Sequence, residues 1–133
     1  MVLHVIDSHY TYSQVPFGFF LGELLNSSRN LYDSLVYFSF GLLFVYPFRE
    51  IIAKKYKIKT LSYYLPILII FSLAAAYEII EWIAVDYFAS QEAGVAFLGA
   101  QGDAWDAQKD MFLALVGAVI ATFISPITNN KNL

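Results

Sequence analysis

The sequence predicts an all-α, polytopic membrane protein: three transmembrane helices plus an interfacial N-terminal segment, in a single transmembrane domain spanning residues 1–133. Three observations carry this. Apolar residues make up 59% of the 133 positions and charged residues only 14%, against roughly 45–50% and 25% in soluble domains. Mean hydropathy is +0.57, and so short a chain cannot hide that much apolar surface in its own core. Finally, the apolar residues gather into three long runs rather than ~10-residue alternating segments, which excludes a β-barrel and leaves helices to satisfy the backbone in lipid.

The elements follow in order. Residues 1–10 have neither a basic region nor a long apolar run, so no signal peptide is expected there. The first thirty mix His4, Asp7, His9, Glu23 and Arg29 with Tyr10, Tyr12, Phe17, Phe19 and Phe20, broken by Pro16 and Gly18. Residues 19–26 suit a short amphipathic helix with Phe20, Leu21, Leu24 and Leu25 on one side, far below the ~20 residues a span needs. The three spans are expected at about 31–52, 61–88 and 104–126, each long enough for a ~30 Å hydrocarbon layer. Tyr63, Tyr64, Trp82, Tyr87 and Trp105 are placed as interfacial aromatics. Residues 89–103 carry three glycines around the apolar patch Val95–Leu98 and read as a compact loop.

The connection 53–60 holds Lys54, Lys55, Lys57 and Lys59, with Arg49 just ahead, so five of the eight basic residues share one membrane face. The positive-inside rule assigns that basic loop to the cytoplasm, and Lys131 falls on the same side. Net charge is −3, which excludes the basic face of a nucleic-acid binder. Cysteine is absent, so there is no disulfide framework, thiolate nucleophile or Cys-based metal site. There is no phosphate loop and no His-Glu-x-x-His, and Ser39, Ser72 and Ser125 have no neighbouring base; no catalytic residue is assigned and no organic cofactor is implied.

The acids are where the pattern departs from an ordinary membrane anchor. Asp33, Glu78, Glu81, Asp103, Asp106 and Asp110 fall at one level, opposite the basic connection. Asp103, Asp106 and Asp110 are spaced i, i+3, i+7 and so share a helix side, which continues through the small residues Ala114, Gly117 and Ala121, the kind of side on which helices pack closely. Glu78 and Glu81, at i and i+3, share a side flanked by Ala74 and Ala75. First-turn acids also serve helix capping and the dipole, which is a sufficient role for Asp33, Asp103 or Asp106 taken singly. It does not serve Asp110 in the second turn, nor Glu78 and Glu81 near a helix C-terminus. An ionised carboxylate in the membrane costs roughly 2.5–3.5 kcal/mol on insertion scales, so the group needs protons, cationic side chains (Arg29, Lys109, His4, His9) or a hard divalent cation such as Mg²⁺, Ca²⁺ or Mn²⁺. Lys109 is expected to snorkel or to pair with Asp106. The expected site is therefore an outward-facing carboxylate cluster formed by all six acids. It binds a divalent metal and takes a membrane lipid head group or lipid-linked substrate, the metal polarising a phosphoryl oxygen in an enzymatic version. Alternatives are a proton- or cation-coupled transport component and a non-catalytic membrane-complex subunit, with a homo-oligomer or another membrane subunit as partner.

Five strings resemble the YjdF-type bacterial inner-membrane protein family: His9-Tyr10-Thr11-Tyr12; Arg29-Asn30-Leu31-Tyr32-Asp33; Arg49-Glu50; Tyr77-Glu78-Ile79-Ile80-Glu81-Trp82; and residues 96–111, from Ala96 through Gly99-Ala100-Gln101-Gly102-Asp103 to Asp110-Met111. They run from about residue 9 to 122. The resemblance implies a multi-pass protein of the bacterial inner (plasma) membrane and supplies no substrate. It also implies an Asp-Arg-x-x-His arrangement where this chain has Ser34 and Tyr37, weakening any ligand or base role there or passing it to Tyr37. Family members tend to carry further helices ahead of the first string, so a short or N-terminally truncated member is expected.

Overall fold

The computed structural model describes residues 14–56, 59–88 and 101–124. The expectations for His4, Asp7, His9, Lys57, Lys131 and the loop 89–100 lie outside the described residues. The described residues form four helices: α1 (Pro16–Leu24), α2 (Tyr32–Tyr56), α3 (Lys59–Phe88) and α4 (Asp106–Ile124). The described residues contain no strand. Helices α2, α3 and α4 contain the stretches Tyr32–Tyr56, Thr60–Tyr87 and Asp106–Ile124, each long and apolar enough to cross a membrane.

Local chemistry shifts the boundaries from those the apolar runs suggested. Helix α1 starts at Pro16 rather than at 19 because a proline at the first helical position has its φ preset and needs no amide partner. It ends in a Schellman motif: Asn26 sits at φ 53°, its N–H bonds the Glu23 carbonyl at 3.2 Å, and the Ser27 N–H bonds that of Gly22 at 2.8 Å. Helix α2 runs on to Tyr56, through part of the basic connection. Lysines in a last turn favour the helix C-terminus, and Lys54 pairs with Glu50 at i+4, 2.6 Å. Pro47 and Pro66 lie inside α2 and α3, as membrane helices tolerate. Helix α4 starts at Asp106, two residues later than 104, because Asp103 turns back to accept the Trp105 N–H at 3.0 Å on its own side chain.

The chain forms two compact units, Met1–Val36 with Ala76–Asp110 and Tyr37–Ala75 with Met111–Leu133. The second is built on small residues. Its core is Tyr37, Val45, Ile70, Ala74, Ala114, Ala118 and Ala121. A Cβ on Gly41 would overlap the Ala114 carbonyl oxygen, and one on Gly117 would overlap the Phe38 carbonyl, so α2 and α4 meet backbone to backbone here. Arg49 is buried in this unit. It donates from Nη1 to the Thr122 carbonyl at 3.0 Å and lies over the Tyr63 ring, 4.7 Å from its centroid. It thereby supplies a donor to the last turn of α4, whose carbonyls have no partner further along the helix. Little of the apolar stretch of α3 is buried; Ile79, Ile80, Trp82 and Ile83 are exposed, the surface a lipid-facing helix presents.

Candidate metal centre

All six acids singled out by sequence belong to the first unit. The stretch between α1 and α2 sets the geometry. Gly18 has no room for a Cβ against the Asn30 side chain. The Asn30 Nδ2 donates to the Val15 carbonyl at 2.8 Å, its Oδ1 accepts the Tyr32 N–H at 3.0 Å, and the Leu31 N–H bonds the Gly18 carbonyl at 3.1 Å. The main chain at 29–31 is thus seated on α1, and Arg29 extends from it to the acids.

Arg29 is the central cation. Its Nη1 donates to Asp103 Oδ2 at 2.5 Å and its Nη2 to Asp106 Oδ1, one guanidinium joining two carboxylates as its fork geometry allows. Burial works against the Arg29 charge. The hydrogen bond to Asp106 and the charges of Asp106, Asp103 and Asp110 outweigh it, and the guanidinium holds its proton more tightly than usual. Asp103 receives a second cation, Lys109 Nζ, at 2.5 Å. That hydrogen bond, the one from the Trp105 N–H and the nearby positive charges hold its carboxyl down, to about 2. The pairing of Lys109 with Asp106 expected from their i, i+3 spacing is therefore replaced. Arg29 occupies Asp106, and Lys109 reaches back past the helix start to Asp103.

Beyond the clamp lie the acids with less compensation. Oxygens of Asp33, Asp106 and Asp110 lie within 4.8 Å of one another. Asp110 is 1% exposed and its Oδ1 accepts the Ser34 hydroxyl at 3.0 Å. Glu78 and Glu81 stand outside this tight group, yet their charges act on Asp33 together with those of Asp110 and Asp106. Tyr77, one turn before, hydrogen-bonds Glu81. Six carboxylates thus meet two cations among the described residues of the unit. Both cations bind Asp103, one also binds Asp106, and the 4.8 Å group is left with a single ion pair.

The described structure brings Asp33, Asp106 and Asp110 together, ties Asp103 into the clamp, and leaves Glu78 and Glu81 as flanking charges. Residues the sequence reasoning passed over are Asn30, Ser34 as a donor to Asp110, and Gln101, which bonds the Asn30 peptide. Helical spacing carries no signal for them, since their partners lie 15 to 76 positions away.

Comparison with known proteins agrees with the resemblance drawn from the five strings. Residues 1–131 match the family described as "Predicted membrane protein (DUF2238)". The inner membrane protein YjdF of Escherichia coli strain K12 is 38% identical over 120 residues, covering 89% of this chain and 56% of that protein. The chain therefore spans about half the length of that relative. No solved structure matches.

Proposed function

This chain belongs to the DUF2238 family of membrane proteins, and on that premise we propose that its acidic cluster is a site for a hard divalent cation. Asp33, Asp106 and Asp110 are the primary ligands, and Glu78, Glu81 and Asp103 contribute negative field around them. The observation that carries the reading is the 4.8 Å group. Two oxygens on opposite sides of a Ca²⁺ ion at roughly 2.4 Å stand about 4.8 Å apart, and Mg²⁺ or Mn²⁺ asks for a modest contraction. Three carboxylates that close, with one ion pair between them, gain from a cation what they lose by repulsion. We further propose that the protein sits in the bacterial inner membrane, as the name of its relative suggests. The basic connection then faces the cytoplasm and the acids the outer side. A cation held there by three protein oxygens keeps coordination positions open for a lipid phosphate.

The test is Mn²⁺ titration of the purified protein in zwitterionic nanodiscs, read by electron paramagnetic resonance. One saturable site is expected, weakened at least about tenfold by Asp33→Asn, since removing even a group that only hydrogen-bonds a ligand costs a metal site roughly 10- to 100-fold. Absence of saturable binding, or equal binding by Asp33→Asn, refutes the proposal. A parallel titration with anionic phospholipid in the bilayer separates a lipid-phosphate role from binding of the ion alone.

A further inference from the structure

Gln101 stands at φ 47°, a left-handed conformation that a residue with a side chain adopts at a cost. Its carboxamide meets both main-chain groups of one distant residue. Oε1 accepts the Asn30 N–H at 2.8 Å and Nε2 donates to the Asn30 carbonyl at 3.0 Å. This reproduces with a side chain the paired bonds that one strand residue gives another. On its other side the same stretch is held by α1, through Val15 and Gly18. Asn30 is thus fixed from two directions, and Arg29, the residue beside it, carries the guanidinium that joins Asp103 to Asp106.

We propose that Gln101 is a positioning residue. By gripping the Asn30 peptide it parks the Arg29 guanidinium across Asp103 and Asp106 and keeps it off Asp33 and Asp110. The two hydrogen bonds tie residue 101, five before the start of α4 at Asp106, to residue 30, two before the start of α2 at Tyr32. The grip therefore fixes the register of the two segments that deliver Asp106 and Asp33. When it is lost, Arg29 becomes an internal competitor for the carboxylates that an external cation needs. That last consequence rests on the cation-site reading above, whereas the grip itself does not.

Side-chain NMR tests this directly, because the chain has two arginines, Arg29 and Arg49. The full chain, labelled with ¹⁵N-arginine in zwitterionic nanodiscs, is compared with Gln101→Ala and with Gln101→Glu. The second variant keeps length and acceptor and loses the donor. Guanidinium proton exchange at Arg29 is expected to accelerate about tenfold in Gln101→Ala and by less in Gln101→Glu, the loss scaling with the hydrogen bonds removed. Arg49, in the other unit, should be unchanged in both. Unchanged Arg29 exchange in Gln101→Ala overturns the proposal. So does loss of both arginine signals in both variants, which would make Gln101 a general stabiliser. Mn²⁺ affinity of the same samples should fall roughly tenfold in Gln101→Ala, as when an outer hydrogen-bond partner of a metal site is removed. A mobile Arg29 with unchanged Mn²⁺ affinity overturns the coupling to the ion site. A wild-type protein that binds no Mn²⁺ removes the cation-site reading and leaves the grip to be judged on Arg29 exchange alone.

Discussion

Asp110→Asn should stabilise this protein when no divalent cation is present and lose that advantage when one is. Asp110 is 1% exposed and lies in the group whose oxygens are within 4.8 Å of one another. Two unit charges at that separation repel by about 3.5 kcal/mol at an effective dielectric constant of ~20. Asp106 shares its charge with Arg29, so the pair left to count is Asp33 with Asp110, and that figure applies at alkaline pH, where both are ionised. Asparagine has nearly the same shape and still accepts the Ser34 hydroxyl, which is 3.0 Å from Asp110 Oδ1. That bond weakens by about 1 kcal/mol once its acceptor is neutral. The net gain is about 2.5 kcal/mol, or roughly 10 °C in Tm for a chain of this size. The assay is thermal unfolding in nanodiscs with excess chelator, repeated with saturating Mn²⁺. In chelator the variant should melt above wild type. With Mn²⁺ at about 100 times Kd the wild type gains about 2.7 kcal/mol by mass action, the variant gains far less, and the order closes or inverts. A variant that melts below wild type in chelator would show that Asp110 is held by structural hydrogen bonding and not opposed by its neighbours. Equal Mn²⁺ shifts in the two proteins would remove Asp110 from the ion site.

Two further outcomes follow from the same geometry. The Asp103 carboxyl is depressed to about 2 by Lys109, the Trp105 N–H and Arg29. A depressed acid contributes stability that is present in full above the ordinary carboxylate range near ~3.9 and is lost as pH falls through its folded value. Unfolding curves should therefore lose stability between about pH 4 and pH 2 in wild type, and Asp103→Asn should flatten that limb; an unchanged limb would dissociate Asp103 from the clamp. In the other unit, Gly41→Leu places side-chain atoms on the Ala114 backbone. Overlap with backbone has no rotamer escape, so the cost should reach about 3 kcal/mol, the upper end for overpacking, measured as urea or thermal unfolding. A near-neutral Gly41→Leu would mean that α2 and α4 do not meet there.

The fold was legible because bilayer length and backbone satisfaction leave few choices. Three apolar runs of about twenty residues can be little else than helices. The buried side of α4 was legible for a related reason. On the side expected to begin at Asp103, the positions Asp106, Asp110, Ala114, Gly117 and Ala121 obey helical period and are buried, whereas Asp103 precedes the helix and is half-buried. Boundaries were less so, because caps decide them. Pro16 at the helix start, Asn26 at positive φ and the turned-back Asp103 moved three ends by two or three residues. The pairing of charges was not legible at all. Spacing favoured Lys109 with Asp106, and the structure gives Asp106 to an arginine 77 positions earlier. Periodicity reports neighbours on one helix and is silent about what the preceding loop brings to it.

That silence locates where the chemistry of this chain is decided. The helical parts of the site, Asp33, Asp106 and Asp110, are presented by periodic faces, and Asp33 and Asp106 each have an ordinary explanation as a first-turn acid. What makes them a site is non-periodic. Arg29 and Lys109 converge on Asp103, so the two cations among the described residues of the unit are concentrated at the edge of the cluster rather than spread through it. Had the cations been placed to neutralise the acids evenly, each of Asp33, Asp106 and Asp110 would have found a partner, and the group would be an ion-pair network with nothing left to bind. Charge concentrated on Asp103 leaves Asp33 and Asp110 facing each other with a hydroxyl for company. Such an arrangement is costly in a low-dielectric setting, and on the proposed reading a cation that enters and leaves relieves it. Exchanging the pattern is therefore the strongest test of the whole reading. Ser34→Lys puts an ammonium beside Asp110, and it should raise stability in chelator while abolishing the Mn²⁺-dependent shift. If the shift survives a tethered cation at that position, the carboxylates are not where the ion binds.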